Sequence, residues 1–390
     1  MPTIGILKET IKPEDAKVAL TPDQIIELQQ QYPDSDFIVQ PSNIRCFSNN
    51  DYLTKSIKVS DDLTRCDFLI GLNIIDTDAI IPNKNYLIFN SNFTKRTDNP
   101  KVFDGFIKQK ATYIQLDKLT DEQNNRLISF GRWAGIEGAY NALRAFGLRE
   151  DLFEIKPPSE YTTKDELFRE LKKLVLPPIK ILITGGGRVA GGVREVLAQL
   201  EIHKVSPSDF IKKEFEDPVF TLIEPVDYVK RLDNIKFDLQ HFYQYPEEYK
   251  SAFQPYTKVT DILITSHYWN PRSPLFFTQE QMKLRSFNIS VIADISCDLH
   301  GSIPTTIRYS STDEPFYGVD KFQLNETKSF EENSITMMAI NNLPSAFPRD
   351  ASEEFGKKFA KKVLPLFLEK DENGIIKKGI VIKHGVLVSS

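Results

Sequence analysis

The 390-residue chain is poor in the residues that most often announce a chemistry. Its three cysteines, Cys46, Cys66 and Cys297, lie far apart, so there is neither a disulfide framework nor a paired-cysteine zinc motif. A reducing cytoplasm is the expected compartment. Five histidines are present and none precedes His203. They show no HExxH spacing, and Cys297-x-x-His300 stands alone, so no metal site is expected. No apolar run approaches the roughly 18 residues of a membrane span. "MPTIGILKET" reads as a strand with a charged follow-on, not a signal peptide. Charge of one sign is not in excess: 49 Lys and Arg stand against 54 Asp and Glu. The net charge of -5 argues against nucleic acid or an anionic membrane as the main partner. GxSxG and Walker motifs are missing, as are internal repeats. A small-molecule substrate is the remaining expectation; the sequence sets no oligomeric state.

What is present is an alternation of short apolar strands with loops or helices. "TIGILKE", "DFIVQPS", "CDFLIGL", "NYLIFNS" and "ATYIQLDKL" read as strands. "TPDQIIELQQQY" opens a helix, with Thr21 as cap and Pro22 in its first position. Such patterning predicts an α/β fold with parallel sheets. "ISFGRWAGIEGAYNALRAFGLR" predicts a helix whose small residues let another backbone approach. A long helix is expected over "RDASEEFGKKFAKKVLPLFL", followed by a β-like tail. At this length two or more domains are expected.

"IKILITGGGRVAGGVREVLAQL" carries the most specific motif. Gly185-x-Gly187-x-x-Ala190 follows a strand and opens a helix, the context a dinucleotide-binding turn requires. Gly185 permits the tight turn, Gly187 admits a pyrophosphate, and Ala190 allows close helix packing. Arg188 and Val189 complete the loop. An acid about 20 positions on normally holds the ribose. There the chain has Ser206, with Asp209 three further along, so NAD and NADP both remain open. Later strands end at Ser266 and His267 and at Asp294, which are further cofactor-side candidates. His267 is either a residue of the cofactor crevice or an ordinary loop histidine. Among basic residues, Lys8, Lys17, Lys95 and Arg126 suit substrate carboxylates.

"KPEDAKVALTP", "LISFGRWAGIEGAYNALRAFG", "ILITGGGRVAGG", "DILITSHYW", "VIADISCDLHGSIPTTI" and "MAINNLPSAFPRDASEEFG" occur in this order. Together they resemble lysine-forming saccharopine dehydrogenase, most of all its lysine–2-oxoglutarate reductase type. That group belongs with alanine dehydrogenase and the transhydrogenase nucleotide-binding subunit. The resemblance implies two Rossmann-like domains with parallel sheets flanking a cleft. Residues 1–129 with 342–390 would form a substrate domain, and residues 130–341 a dinucleotide-binding domain including the small-residue helix. It implies NAD or NADP as cofactor, and hydride transfer between nicotinamide and an imine or secondary amine joining an amino acid to a 2-oxo acid. Alanine dehydrogenase chemistry is the neighbouring alternative. Lys17, Asp15, Lys95 and Arg126 fall at substrate-binding positions of the family. Its catalytic lysine falls at Asn73, its catalytic histidine at Asn92, and an aspartate at Asn341. Asparagine does not titrate. Two readings follow: an enzyme drawing protons from Asp15, His267, Tyr86 or water, or a dinucleotide-binding sensor or scaffold that has lost catalysis.

Overall fold

The computed structural model describes residues 2–10, 14–73, 75–89, 96 and 99–388. Contacts divide the chain into one unit of Met1–Phe130 with Pro348–Ser390 and a second of Gly131–Phe347. Among the described residues no helix is long and apolar enough to cross a membrane.

The first unit holds one sheet. Six parallel strands, β1 (Thr3–Ile6), β2 (Asp36–Val39), β3 (Lys58–Val59), β4 (Phe68–Gly71), β5 (Asn85–Ile88) and β6 (Thr112–Gln115), stand in the order β6-β5-β4-β1-β2-β3. The chain thus runs outward from β1 on one side, then returns to the other side at β4. Ile380–Lys383 extends the sheet antiparallel to β6, so the C-terminal segment completes the N-terminal unit. Near-continuous apolar strands suit a sheet covered on both faces. Leu69, Tyr86, Phe103, Phe106, Tyr113 and Ile382 form the buried cluster on it. Thr21 caps the helix Pro22–Gln31 through a reciprocal pair with Gln24, and Ile25 and Leu28 face inward. The expected long helix near the C-terminus is two: Pro348–Lys362 and Leu364–Leu368. Pro365 has no N–H to donate, and its ring opposes the carbonyl four residues back.

In the second unit β7 (Lys180–Thr184), β8 (His203–Lys204) and β9 (Val219–Ile223) lead to a small antiparallel pair, β10 (Val229–Arg231) and β11 (Tyr249–Ser251). Then come β12 (Ile262–Thr265), β13 (Val291–Asp294), β14 (Tyr317–Asp320), β15 (Glu326–Thr327) and β16 (Ser334–Met338). The main sheet is ordered β15-β14-β16-β13-β12-β7-β9-β8, parallel apart from β14 and β15. The winding departs from the usual one on both sides: β9, not β8, stands beside β7, and β16 stands beside β13 with the antiparallel β14 and β15 outside it. The short β8 is left at the sheet edge. The small-residue helix is Gly131–Arg149, and it packs on Arg188–Gln199 within this unit. A Cβ on Gly135 would strike the Val189 carbonyl, and one on Gly192 the Arg132 carbonyl.

Candidate active site

In a doubly wound sheet, ligands bind beyond the strand ends where the winding reverses. In the first unit that point lies between β1 and β4. Glu9 follows β1 and Asn73 follows β4. The Leu72 amide donates to Glu9 Oε1 at 2.8 Å, so the carboxyl bridges the crevice. Asn73 Nδ2 donates to Glu9 Oε2 and to Asp15 Oδ2, both at 3.0 Å. Asp15 Oδ1 lies 2.9 Å from the Lys17 ammonium, and both side chains are buried. Lys17 Nζ also stands 5.3 Å from the centre of the Phe130 ring, and beyond its Asp15 pair it has no hydrogen-bond partner among the described residues. A cavity of about 430 Å³ adjoins this cluster; Glu9, Glu14, Ser42 and Asp61 are among its lining residues.

Sequence reasoning did not single out Glu9. Burial pushes its carboxyl up to about 7, against the lowering effect of the Leu72 amide, and the neighbouring Asp15 charge adds to the rise. Burial would raise Asp15 as well, but the Lys17 ammonium and the bonds from Lys17 and Asn73 outweigh it and hold that carboxyl low. One amide therefore joins two acids of opposite tendency: Asp15 ionised against a cation, Glu9 poised to exchange a proton near neutral pH. The overlooked signal was an acid just beyond the first strand, in "ILKET".

Of the other substrate-side candidates, Lys8 lines the same cavity as Glu9. Arg126 is exposed on the loop after β6, where its backbone bridges to Thr120. Lys8 is exposed and 3.8 Å from Asp61. Asn92 and Lys95 lie outside the described residues. Tyr86 is fully buried, its hydroxyl accepts the Ile81 amide, and burial lifts it to about 12; it is core, not a proton donor.

In the second unit the winding reverses between β7 and β12. Gly185, with φ of +83°, turns the chain there, and a Cβ on it would sit 2.8 Å from the Ser266 carbonyl oxygen. Gly187 opens the helix Arg188–Gln199 with no side-chain cap, and a Cβ on it would meet nothing within 4 Å. Ala190 is fully buried, Val189 half-buried and Arg188 exposed. An exposed, uncapped helix start with room at its glycine fits a pyrophosphate. Ser266 Oγ is spent on the Thr184 carbonyl at 2.6 Å. Asn341 is exposed on the turn after β16.

Three candidates prove to be framework. Ser206 sits beyond the edge strand β8, and its hydroxyl accepts the Asp209 amide at 3.0 Å as a helix cap. Asp294 is buried, held by the Thr265 and Thr306 hydroxyls and the Cys297 amide, and burial raises its carboxyl. His267 is buried between two hydroxyls, Thr184 Oγ1 at 2.7 Å from Nδ1 and Ser302 Oγ at 2.8 Å from Nε2. Burial lowers it to about 4, so it is neutral at pH 7 and neither nitrogen is spare. The unfolded chain takes up that proton first, so stability is full above pH 6.5 and is lost as the pH falls towards 4. The loss amounts to about 3 kcal/mol. His267→Gln should flatten the acid limb of the urea midpoint between pH 7 and 4 by that amount. An unchanged limb would mean the histidine is already charged in the fold.

A family model described as the alanine dehydrogenase/PNT N-terminal domain matches residues 5–137, and the C-terminal domain of the same description matches residues 175–390. The chain belongs to the alanine dehydrogenase/PNT family. Among its relatives, the alpha-aminoadipic semialdehyde synthase of Arabidopsis thaliana is 25% identical over 90% of this chain and 37% of its own length. The chain spans well under half the length of the semialdehyde synthases it matches. The saccharopine dehydrogenase [NAD(+), L-lysine-forming] of Neurospora crassa is 23% identical, with 94% of this chain and 91% of that protein covered. In structure, an L-alanine dehydrogenase aligns over 99% of this chain and 96% of its own, with a TM-score of 0.65 and 13% identity, which is a likeness of fold.

Proposed function

We propose that this chain is an NAD(P)-dependent oxidoreductase of amino acids, working at a carbon–nitrogen bond between an amino acid and a 2-oxo acid. The observation that carries the reading is the Glu9–Asn73–Asp15–Lys17 cluster at the winding reversal of the first unit. The glycine turn of the second unit and the saccharopine and alanine dehydrogenase relatives support it.

Each residue has a distinct task. Lys17, a buried ammonium with unspent N–H groups, takes a substrate carboxylate. Asp15 keeps that cation in place. Glu9 holds or gives up a proton for the reacting nitrogen or its carbinol oxygen. Asn73 orients both carboxyls without titrating. Gly185, Gly187 and the helix start behind them would hold the dinucleotide phosphates. Bound nicotinamide supplies or accepts the hydride. On this reading the half-buried carboxyl of Glu9 takes over the proton work that the resemblance assigns to the family's lysine at Asn73.

The test is oxidation of NADH and NADPH with 2-oxoglutarate or pyruvate, plus lysine or ammonia, by the chain and by its Asn73→Lys, Asn92→His variant. Turnover by the unaltered chain supports the reading. Turnover only by the variant favours a binding protein stripped of its acid and base. Silence in both removes the amino-acid substrate class.

A further inference from the structure

The strand order of the second unit bears on the choice of dinucleotide. In the usual winding, the second strand stands beside the first, and an acid at its end reaches the ribose next to the adenine. Here the second strand, β8, is displaced to the edge by β9. Two strand spacings, roughly 9.5 Å, separate β8 from β7. Ser206, beyond the end of β8, is on the wrong side of β9 to meet the turn, and its hydroxyl accepts the Asp209 amide as a helix cap.

The vacated place is filled from β9. Thr184 pairs in register with Ile223, and the Gly185 amide donates to the Ile223 carbonyl at 2.8 Å. The next residue is Glu224. A Cβ on Gly186 would run into Glu224 Oε1, so this carboxylate lies directly over the glycine turn. Its backbone is held by Asp227, whose carboxylate accepts the Glu224 amide at 2.9 Å and whose own amide returns a bond to the Glu224 carbonyl at 2.8 Å. Gly186, Gly187 and Glu224 are all exposed, so the carboxylate is open to a ligand lying across the turn.

We propose that Glu224 is the carboxylate that reads the adenosine ribose, delivered by the third strand of the sheet instead of the second, and that this chain therefore takes NAD(H) in preference to NADP(H). This rests on the dinucleotide-binding reading of the second unit. A free 2′-hydroxyl donates to the carboxylate; a 2′-phosphate meets it with like charge.

Direct binding tests it. Nicotinamide fluorescence titrations of NADH and NADPH would be run on the full chain, Glu224→Gln, Glu224→Ser and Ser206→Ala. Thermal melts would confirm that each variant folds. The unaltered chain should bind NADH at least about tenfold more tightly than NADPH. Both Glu224 variants should lose about tenfold in NADH affinity, the worth of a hydrogen bond to a charged group, and should narrow or reverse the preference. Ser206→Ala should leave it unchanged. Equal or tighter NADPH binding by the unaltered chain, or a ratio unmoved by both Glu224 variants, would overturn the assignment while leaving the dinucleotide site standing. Such a result would point to Arg188 as a phosphate reader. Binding of neither dinucleotide would overturn the assignment together with the reading beneath it.

Discussion

Glu9→Gln is expected to lower turnover by about 10²–10⁴-fold, the usual loss when a positioned acid or base is removed. The substitution keeps the shape of the side chain and an acceptor for the Leu72 amide, but it cannot carry a proton. The pH profile separates this from a packing defect. Burial sets the Glu9 carboxyl at about 7, so kcat/KM for oxidation, which needs the carboxylate, should rise through that pH and then level. For reduction, which needs the acid, it should fall through the same pH. Glu9→Gln should flatten both limbs. Asn73→Lys offers a second lever. An ammonium about 3–4 Å from Glu9 stabilises its ionised form by about 4 kcal/mol at an effective dielectric near 20. The inflection should then move below about pH 6. If the profile of the unaltered chain is flat between about pH 6 and 8, Glu9 is not the proton carrier. The same burial makes Glu9 a cost to the fold: its raised pKa means stability falls as the pH rises from 4.5 through 7. The unliganded Glu9→Gln protein should therefore be more resistant to urea at about pH 8 than the unaltered chain.

The α/β class and the glycine turn between strand and helix were legible because they rest on local rules. A fully apolar strand, a glycine turn and an amphipathic helix write themselves into consecutive residues, as Lys180–Gln199 does. The cap at Thr21 was legible for the same reason. What escaped were features set by strand order. Counting about 20 residues from the turn leads to Ser206, a count that presumes β8 beside β7, whereas β8 stands at the sheet edge beyond β9. Nothing local in "IHKVS" says that it is a two-residue edge strand. Glu224 and Glu9 are both acids just past strands, but only the order of strands shows that Glu9 flanks a winding reversal and that Glu224 stands beside the glycine turn. His267 shows the converse. Its place beyond β12 left a crevice residue and an ordinary loop histidine both open, and the hydroxyls of Thr184 and Ser302, 83 and 35 residues away in sequence, engage both ring nitrogens.

The small-residue helix gives the sharpest test of packing, because two adjacent glycines on its partner helix should respond with opposite sign. Gly191 lies inside Arg188–Gln199, and a Cβ on it would meet nothing within 4 Å, so Gly191→Ala should stabilise by about 0.5–1 kcal/mol through helix propensity alone. Gly192, one residue on, faces the Arg132 carbonyl, and a Cβ there would sit 2.9 Å from the Ile136 amide nitrogen. Backbone cannot swing aside as a side chain can. Gly192→Ala must push the helix Gly131–Arg149 away, at about 1–3 kcal/mol or more. A Cβ on Gly135 meets the Val189 carbonyl and lies 3.0 Å from Gly192 Cα, so Gly135→Ala forces the same separation. Once one substitution has parted the helices, the second has less left to disrupt. The double variant should therefore lose less than the sum of the two single losses, by at least about 0.5 kcal/mol. Urea midpoints of the unaltered chain, the two single variants and the double variant would measure it. Additive losses would mean that each methyl is absorbed locally, and that the close approach of the two helices is not what these glycines provide.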